Sequence, residues 1–430
     1  MRKTFAILIM ASISVICIFH AYAFGASQKI ETTVRNDRGA KEGNPGGAAA
    51  LIVSVSAGGG HTMALDDKGQ LWAWGDNYHG QVGDGNVSTY HDPIYDDGYD
   101  GEYSEVVDGR VRDIDNDVYT PKLIMNDVRA IFAGYNSSFA ITNENKLYAW
   151  GDNASGQLGD GTAADKSTPV FIMDDVSEVY SHINRTMITK TDGSLWLAGT
   201  KFGAQYDDAA GRYEIYREPA MLYKNVKKAV YDGASTGIGG MLILTNDNRV
   251  ISYMPKERNS SDGGYIFHEW DQLSGIVDIS SAGQQVYALT KSGDVYGWGP
   301  GDRLGAETDD FWVYSPAFIT SNIKRILNGH MFIRDDYALL IWGRVPDAED
   351  YRNSGGTDGG GSWIGDLIVY GRTPGGILNN ILTADGGNSH FIAVDHDGNV
   401  YTWGDNFYGQ LGDGSSITRT APKGIVFGNR

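Results

Sequence analysis

Apolar and polar positions alternate in short runs along most of the chain, the period-two pattern of half-buried strands. Residues 51–56 (LIVSVS) open the pattern. A glycine turn at 57–60, a run at 61–65 (HTMAL), a turn at 66–69 (DDKG) and a run at 70–74 (QLWAW) complete three antiparallel strands joined by tight turns. The same order returns at 128–150 and at 381–403. Drifted copies at 186–193, 241–248 and 286–293 keep the hairpin, with Gly193, Asn248 and Gly293 where a short turn needs positive φ.

Each clear unit ends in one element. Residues 71–85 read LWAWGDNYHGQVGDG, 147–161 read LYAWGDNASGQLGDG and 400–414 read VYTWGDNFYGQLGDG. Fainter copies at 195–199 (LWLAG), 250–253 (VISY), 295–299 (VYGWG) and 340–343 (LIWG) bring the count to seven. A unit spaced at roughly 45 to 75 residues cannot bury its apolar face alone, so neighbours stack into one continuous core. The period suits one four-stranded sheet per unit and predicts an all-β fold, a seven-bladed β-propeller over residues 51–430. The first unit lacks a convincing proline-led strand, while 121–124 (PKLI) and the tail 422–426 (PKGIV) both read as openings of a further unit. The ring is therefore expected to close by pairing of its N- and C-terminal segments, with the tail near Ile425 beside the strand starting at Leu51, which hides two edges.

The repeat resembles that of the regulator of chromosome condensation family. That unit runs as a valine or isoleucine strand, Ala-Gly, His-Ser-x-Ala-Leu, Asp-Gly, an aromatic strand ending Trp-Gly-x-Asn, then Gly-Gln-Leu-Gly-Asp-Gly and a proline-led strand. Residues 57–85, 133–162 and 389–414 match it nearly throughout; the likeness extends over about 51–426, with the fourth and sixth units poor matches. The resemblance implies a seven-bladed propeller. Founding members are exchange factors for a small nuclear GTPase, acting through a loop wedge that matches no residue here. Exported bacterial-type members, which this chain resembles more, have a leader and seven repeats and inhibit β-lactamases with aromatic side chains of one face; no residue-by-residue match assigns that target.

Residues 1–23 read as a secretory signal peptide, with Arg2 and Lys3, an apolar run at 5–19 and the small-x-small site at 21–23. Residues 24–50 read as a flexible leader. This predicts a secreted or cell-surface protein whose mature chain has no transmembrane span, since no other apolar run approaches bilayer length. Cys17, the only cysteine, lies in the leader, so the mature chain has neither disulfide nor thiol nucleophile. A net charge of −19, with no run of four basic residues, argues against nucleic acid. A protein partner is expected, with a glycan as the second choice.

Chemistry, if any, belongs to what the units do not share. The connection between glycine element and proline-led strand varies greatly, with insertions at 86–120, 206–218, 255–272, 309–314 and 346–374. All fall at one phase of the repeat and should gather on one face. Aromatic residues among Gly, Asp and Ser offer large contact area at small entropic cost, which makes Tyr99, Tyr103, Tyr213, Tyr216, Trp312 and Trp363 the candidate contacts. The competing reading is that they pin long loops onto the blades.

Asp76, Asp152 and Asp405 recur at one repeat position, so they are read as bonding to backbone in glycine loops, and Trp74, Trp150, Trp298, Trp342 and Trp403 as packing between blades. His61 and His390 are equivalent and read as structural; no zinc spacing appears. Gly233–Gly237 fits a nucleophile elbow around Ser235, but sits between strands rather than before a helix. Residues 113–117 (DIDND) begin like a calcium loop, yet Val118 and Ile124 occupy its glycine and glutamate places, so an irregular calcium site is not predicted. No catalytic, cofactor-binding or metal residue is assigned. The expected function is a binding scaffold for a protein partner rather than an enzyme; the alternative is a polysaccharide-directed hydrolase or lyase with a carboxylate pair near the axis.

Overall fold

The computed structural model describes residues 51–91, 106–107, 110–202, 206–207, 212–233, 240–255, 265–301, 304–306, 308, 310–328, 330–346 and 366–427. The signal peptide, the leader, Cys17 and Ser235 lie outside them.

Seven four-stranded antiparallel sheets follow one another along the chain. Blade 1 holds Ile52–Ala57, His61–Asp66, Leu71–Gly75 and Val118–Met125, and blade 2 holds Val128–Ala133, Ser137–Thr142, Leu147–Gly151 and Lys166–Met173. Blade 3 holds Val176–His182, Arg185–Lys190, Leu195–Thr200 and Ile215–Tyr223, and blade 4 Val226–Asp232, Gly240–Thr245, Val250–Pro255 and Tyr265–Glu269. Blade 5 is Ile276–Ala282, Gln285–Thr290, Val295–Pro300 and Trp312–Thr320; blade 6 is Ile323–Ile326, Met331–Arg334, Leu339–Pro346 and Asp366–Leu378. Blade 7 is Ile381–Gly386, His390–Asp395, Val400–Gly404 and Arg419–Ile425. The hairpin turns take the residues expected of them: Gly69, Gly193, Asn248 and Gly293 have φ of 78°, 76°, 62° and 89°.

The core lies at the seams. Trp150 packs with Met63 and Leu65 of blade 1, Trp298 with Leu242 and Leu244 of blade 4, and Trp403 with Met331 and Ile333 of blade 6. Trp342 does the same against Tyr287 and Leu289 of blade 5, and all five repeated tryptophans are buried. Blades 2 and 3 share Leu147 and Val179, and blades 3 and 4 share Leu197 and Ile243. The seventh cluster closes the ring, joining Ile52, Val55 and Trp74 of blade 1 to Ile392, Val394 and Val400 of blade 7.

Closure does not use the expected strand pairing. Ile425 pairs with Val400 inside blade 7, and Met125 pairs with Leu71 inside blade 1, so each blade takes its own proline-led strand. The insertion beginning at residue 86 hid this order by separating blade 1 from its fourth strand. It forms a small sheet of its own, Thr89–His91, Val106–Val107 and Arg110–Ile114. The chain ends meet through side chains instead: Phe427 stands edge-on to Trp74 and Trp72, with centroids 5.5 and 6.3 Å apart.

Candidate functional site

The insertions leave and rejoin the blades at matching register. Where the third strand meets the start of the fourth, Gly75 faces Val118, Gly151 faces Lys166, Gly199 faces Tyr216, Gly299 faces Val313, Gly343 faces Tyr370 and Gly404 faces Arg419. In blade 5 this point carries an aromatic patch. Strand alternation turns Val313 onto the cores of the flanking seams and leaves Trp312 and Tyr314 on the opposite side. Phe311 is 87% and Tyr314 72% exposed, and the half-buried Trp312 ring lies 6.2 Å from that of Tyr314. The patch is anchored by backbone: Gly301 N donates to Phe311 O at 3.0 Å, and Asp310 N to Thr308 Oγ1 at 3.1 Å.

Of the candidate contacts, Trp312 lies in this patch. Tyr216 packs partly against the seam of blades 3 and 4, with the Lys201 ammonium 4.5 Å from its ring centroid and bonded to Glu214. Tyr213 is paired through its backbone with Tyr206 in a two-stranded sheet. Tyr99, Tyr103 and Trp363 lie outside the described residues. Phe311 and Tyr314 were passed over in the sequence, although the Val313 alternation places Tyr314 beside Trp312.

The repeated loop residues serve the fold. Asn77, Asn153 and Asn406 each accept through Oδ1 from the backbone N–H five residues on, at 3.1, 3.0 and 2.9 Å. Asp76, Asp152 and Asp405 accept from the N–H two residues on. The last aspartate of the element pairs with a cation of the same blade's fourth strand: Asp84 with Lys122 at 2.6 Å, Asp160 with Lys166 at 3.0 Å and Asp413 with Arg419. Burial pushes the Asp413 carboxyl up, but the Ser415 and Arg419 hydrogen bonds outweigh it and hold it down at about 2. In the acidic stretch, Asp117 accepts from Asn77 N and Ser88 Oγ, and Asp115 from Tyr119 Oη, so both spend oxygens on protein donors.

One interlock joins blades 7, 1 and 2. The Gln410 carbonyl accepts from Trp74 Nε1 at 2.9 Å and Thr62 Oγ1 at 2.8 Å; the Gln81 carbonyl accepts from Trp150 Nε1 at 2.9 Å and Ser138 Oγ at 2.7 Å. His390 Nε2 and His61 Nε2 lie 2.8 Å from the same two hydroxyls, which leaves each imidazole to donate. Burial, aided at His61 by His390, depresses the imidazoles to about 3 for His61 and about 4 for His390. Both stay neutral at neutral pH.

Blades 3 to 6 carry a row of charges at the third residue of their first strands: Glu178, Lys228, Asp278 and Arg325, where the other blades have Ser54, Ala130 and Thr383. Lys228 Nζ lies 2.7 Å from Asp278 Oδ1, and Arg325 donates to Leu382 O of blade 7 at 2.9 Å. Glu178 is 8% exposed, and its Oε2 finds no hydrogen-bond partner among the described residues. Burial pushes Glu178 up to about 7, against the pull of Lys228 and with the push of Asp278. These are unrepeated carboxylates converging at one level, as a glycan-cleaving site would require. Lys228 is bound to one of them, and the other is sealed from solvent, so a sugar does not reach the pair.

A further polar group stands at the seam of blades 1 and 2, where donor atoms of His79, Asp152 and Asp165 lie within 4.8 Å of one another. It escaped notice in the sequence because its members sit on successive repeats, and His79 has no copy to draw attention to it.

Models of the regulator of chromosome condensation (RCC1) repeat match residues 52–81, 128–157 and 383–410, and residues 144–183 and 397–430. The chain is a seven-bladed propeller of RCC1-like repeats. It is 24% identical over 381 residues to the Homo sapiens E3 ubiquitin-protein ligase HERC2, a match spanning 86% of this chain and 5% of HERC2. It is 31% identical over 118 residues to the Arabidopsis thaliana ultraviolet-B receptor UVR8, covering 27% of this chain and 21% of the receptor. The chain thus spans only a small part of the curated relatives it matches. Among solved structures, human WBSCR16 is 16% identical with a TM-score of 0.46, covering 87% of this chain and 82% of that one. Yeast RCC1 (Prp20) bound to Kap60 is 15% identical with a TM-score of 0.46, covering 87% and 75%.

These likenesses correct the secreted or cell-surface address. HERC2, whose match spans 86% of this chain, is an intracellular protein rather than a secreted one. The address rested on a basic start, an apolar run and a small-x-small site at 21–23. No helix among the described residues is long and apolar enough to cross a membrane.

Proposed function

We propose that the chain is a protein-binding scaffold whose recognition face is built from the connections between third and fourth strands. The described centre of that face is Phe311, Trp312 and Tyr314 of blade 5, with Tyr99, Tyr103, Tyr213, Tyr216 and Trp363 as further contacts. The observation that carries the reading is the exposure of Phe311 and Tyr314 on a strand anchored to two core clusters. Rigid exposed aromatics with acidic neighbours lose little entropy on binding and suit the centre of a protein interface. The matching register of the other insertions supports one shared face.

The test places a photo-crosslinking residue at position 314 and, as a control, at Phe171 on the outer strand of blade 2. The reading expects one partner to be captured at position 314 and lost in the Phe311→Ala/Trp312→Ala variant. Capture only at position 171, or equal capture with the double variant, would overturn it.

A further inference from the structure

We infer that His79, Asp152 and Asp165 form a site for a divalent transition-metal ion of the zinc type, clasping blade 1 to blade 2. His79 Nδ1 lies 2.8 Å from Asp165 Oδ2 and 4.0 Å from Asp152 Oδ1. Zinc takes nitrogen and oxygen donors at about 2.0 to 2.2 Å in a tetrahedron whose edges are then about 3.4 Å; the two edges at His79 each differ from that by about 0.6 Å, and the third lies within 4.8 Å.

The donors are held from behind. Asp165 Oδ1 accepts from Asn153 N at 2.8 Å, Asp152 Oδ1 accepts from Ala154 N at 3.0 Å, and His79 N donates to Gln81 Oε1 at 2.8 Å. Such outer bonds fix the direction of each ligand. The side chains of His79, Asp152 and Asp165 are 23%, 19% and 39% exposed, which leaves an entry path and room for water in the open coordination position. An imidazole beside two carboxylates favours zinc and its transition-metal neighbours over calcium and magnesium, which prefer oxygen alone.

Repetition tells against a site when every member is copied. Here Asp152 and Asp165 have copies, in Asp76 and Asp405 and in Asp117, but His79 has none. The places of His79 hold Ser155 in blade 2 and Tyr408 in blade 7, and those of Asp165 hold Asp117 in blade 1 and Thr418 in blade 7. The full trio therefore arises once among these three loops. Because its donors belong to two blades, the ion binds only the assembled seam and adds to its stability.

The experiment uses the full chain, stripped with chelator and titrated calorimetrically with zinc ion alone, then with cobalt(II) to read ligand-field absorption. One equivalent of zinc should bind, raise the thermal midpoint and be displaced by chelator. His79→Gln and Asp165→Asn each remove a direct ligand and should weaken binding at least as much as the roughly 10- to 100-fold that loss of an outer partner costs, and abolish the thermal shift, with circular dichroism confirming that the sheets persist. Asp165→Asn, on a half-exposed loop, serves if His79→Gln does not fold. No saturable zinc binding, preference for calcium, or unchanged binding in the folded variants would overturn the assignment and leave a plain His79–Asp165 ion pair.

Discussion

In blades 7, 1 and 2 the Gln410 and Gln81 carbonyls take the indole and hydroxyl hydrogens of the next blade, while two histidines stay neutral beside them. From blade 3 to blade 6 that loop is lost or worn, and the first strands carry Glu178, Lys228, Asp278 and Arg325 instead. The first device needs only a backbone carbonyl and a tryptophan, so any blade can pass it to the next. The second works only in its own order, because Lys228 is matched to Asp278 and either is costly without the other. Copied seams keep the sequence constant, whereas private seams let it drift.

The largest effect should come from the copied side. Trp150→Ala empties a fully buried seam and takes one of two donors from the Gln81 carbonyl, costing about 3 to 5 kcal/mol, read as a fall in the urea midpoint. A cost under about 1 kcal/mol would mean that neither the packing of the indole nor its bond to Gln81 holds this seam. On the private side, Lys228→Met takes the hydrogen-bonded cation from Asp278, leaving only the more distant pull of Lys227 and Arg325, and should cost about 3 kcal/mol. The double variant Lys228→Met/Asp278→Leu should recover much of that loss; failure to recover would show that Asp278 has other duties. Asn153→Ala, which removes the bonds that close one glycine loop, should cost about 1 to 3 kcal/mol and leave the charged half untouched in hydrogen exchange.

The smallest effect, and the sharpest contrast, is in pH. His61 and His390 have folded values below the ordinary 6.5, so the unfolded chain binds protons more readily and their seams lose stability as pH falls below 6.5. Asp413 adds a loss on the way from 3.8 to about 2. Glu178 runs the other way: its folded value of about 7 exceeds the ordinary 4.5, so the folded state holds the proton and stability falls as pH rises from 4.5 through 7. Glu178→Gln should remove that alkaline decline in the urea midpoint between pH 5 and 8, and an unchanged slope would assign the decline elsewhere.

The legible parts of the sequence were those where geometry forbids substitution. A Cβ on Gly83 or Gly412 would stand 2.5 or 2.6 Å from the indole nitrogen of Trp150 or Trp74, so the glycine loop and the next tryptophan are locked together. Seven units could be counted because turns such as Gly193 and Asn248 need positive φ even where the tryptophan has become Ala198 or Tyr253. Strand order at closure was misread because the insertion from residue 86 separates Val118–Met125 from the hairpin it completes. The aromatic patch was half legible: Trp312 was singled out, but the exposure of Phe311 depends on its backbone bond to Gly301, which no local pattern signals. His79 and the charge row were invisible because their partners sit one or more repeats away.

Hydrogen exchange of the full chain, resolved by blade at pH 5 and pH 8 and corrected for intrinsic exchange rates, tests the division most directly. Protection should drop around His61 and around His182, which burial depresses to about 4, on going to pH 5, and around Glu178 on going to pH 8; in blade 7 buried Asp385, pushed up to about 6, opposes His390. A uniform change across all seven blades, or the reverse assignment, would contradict the account.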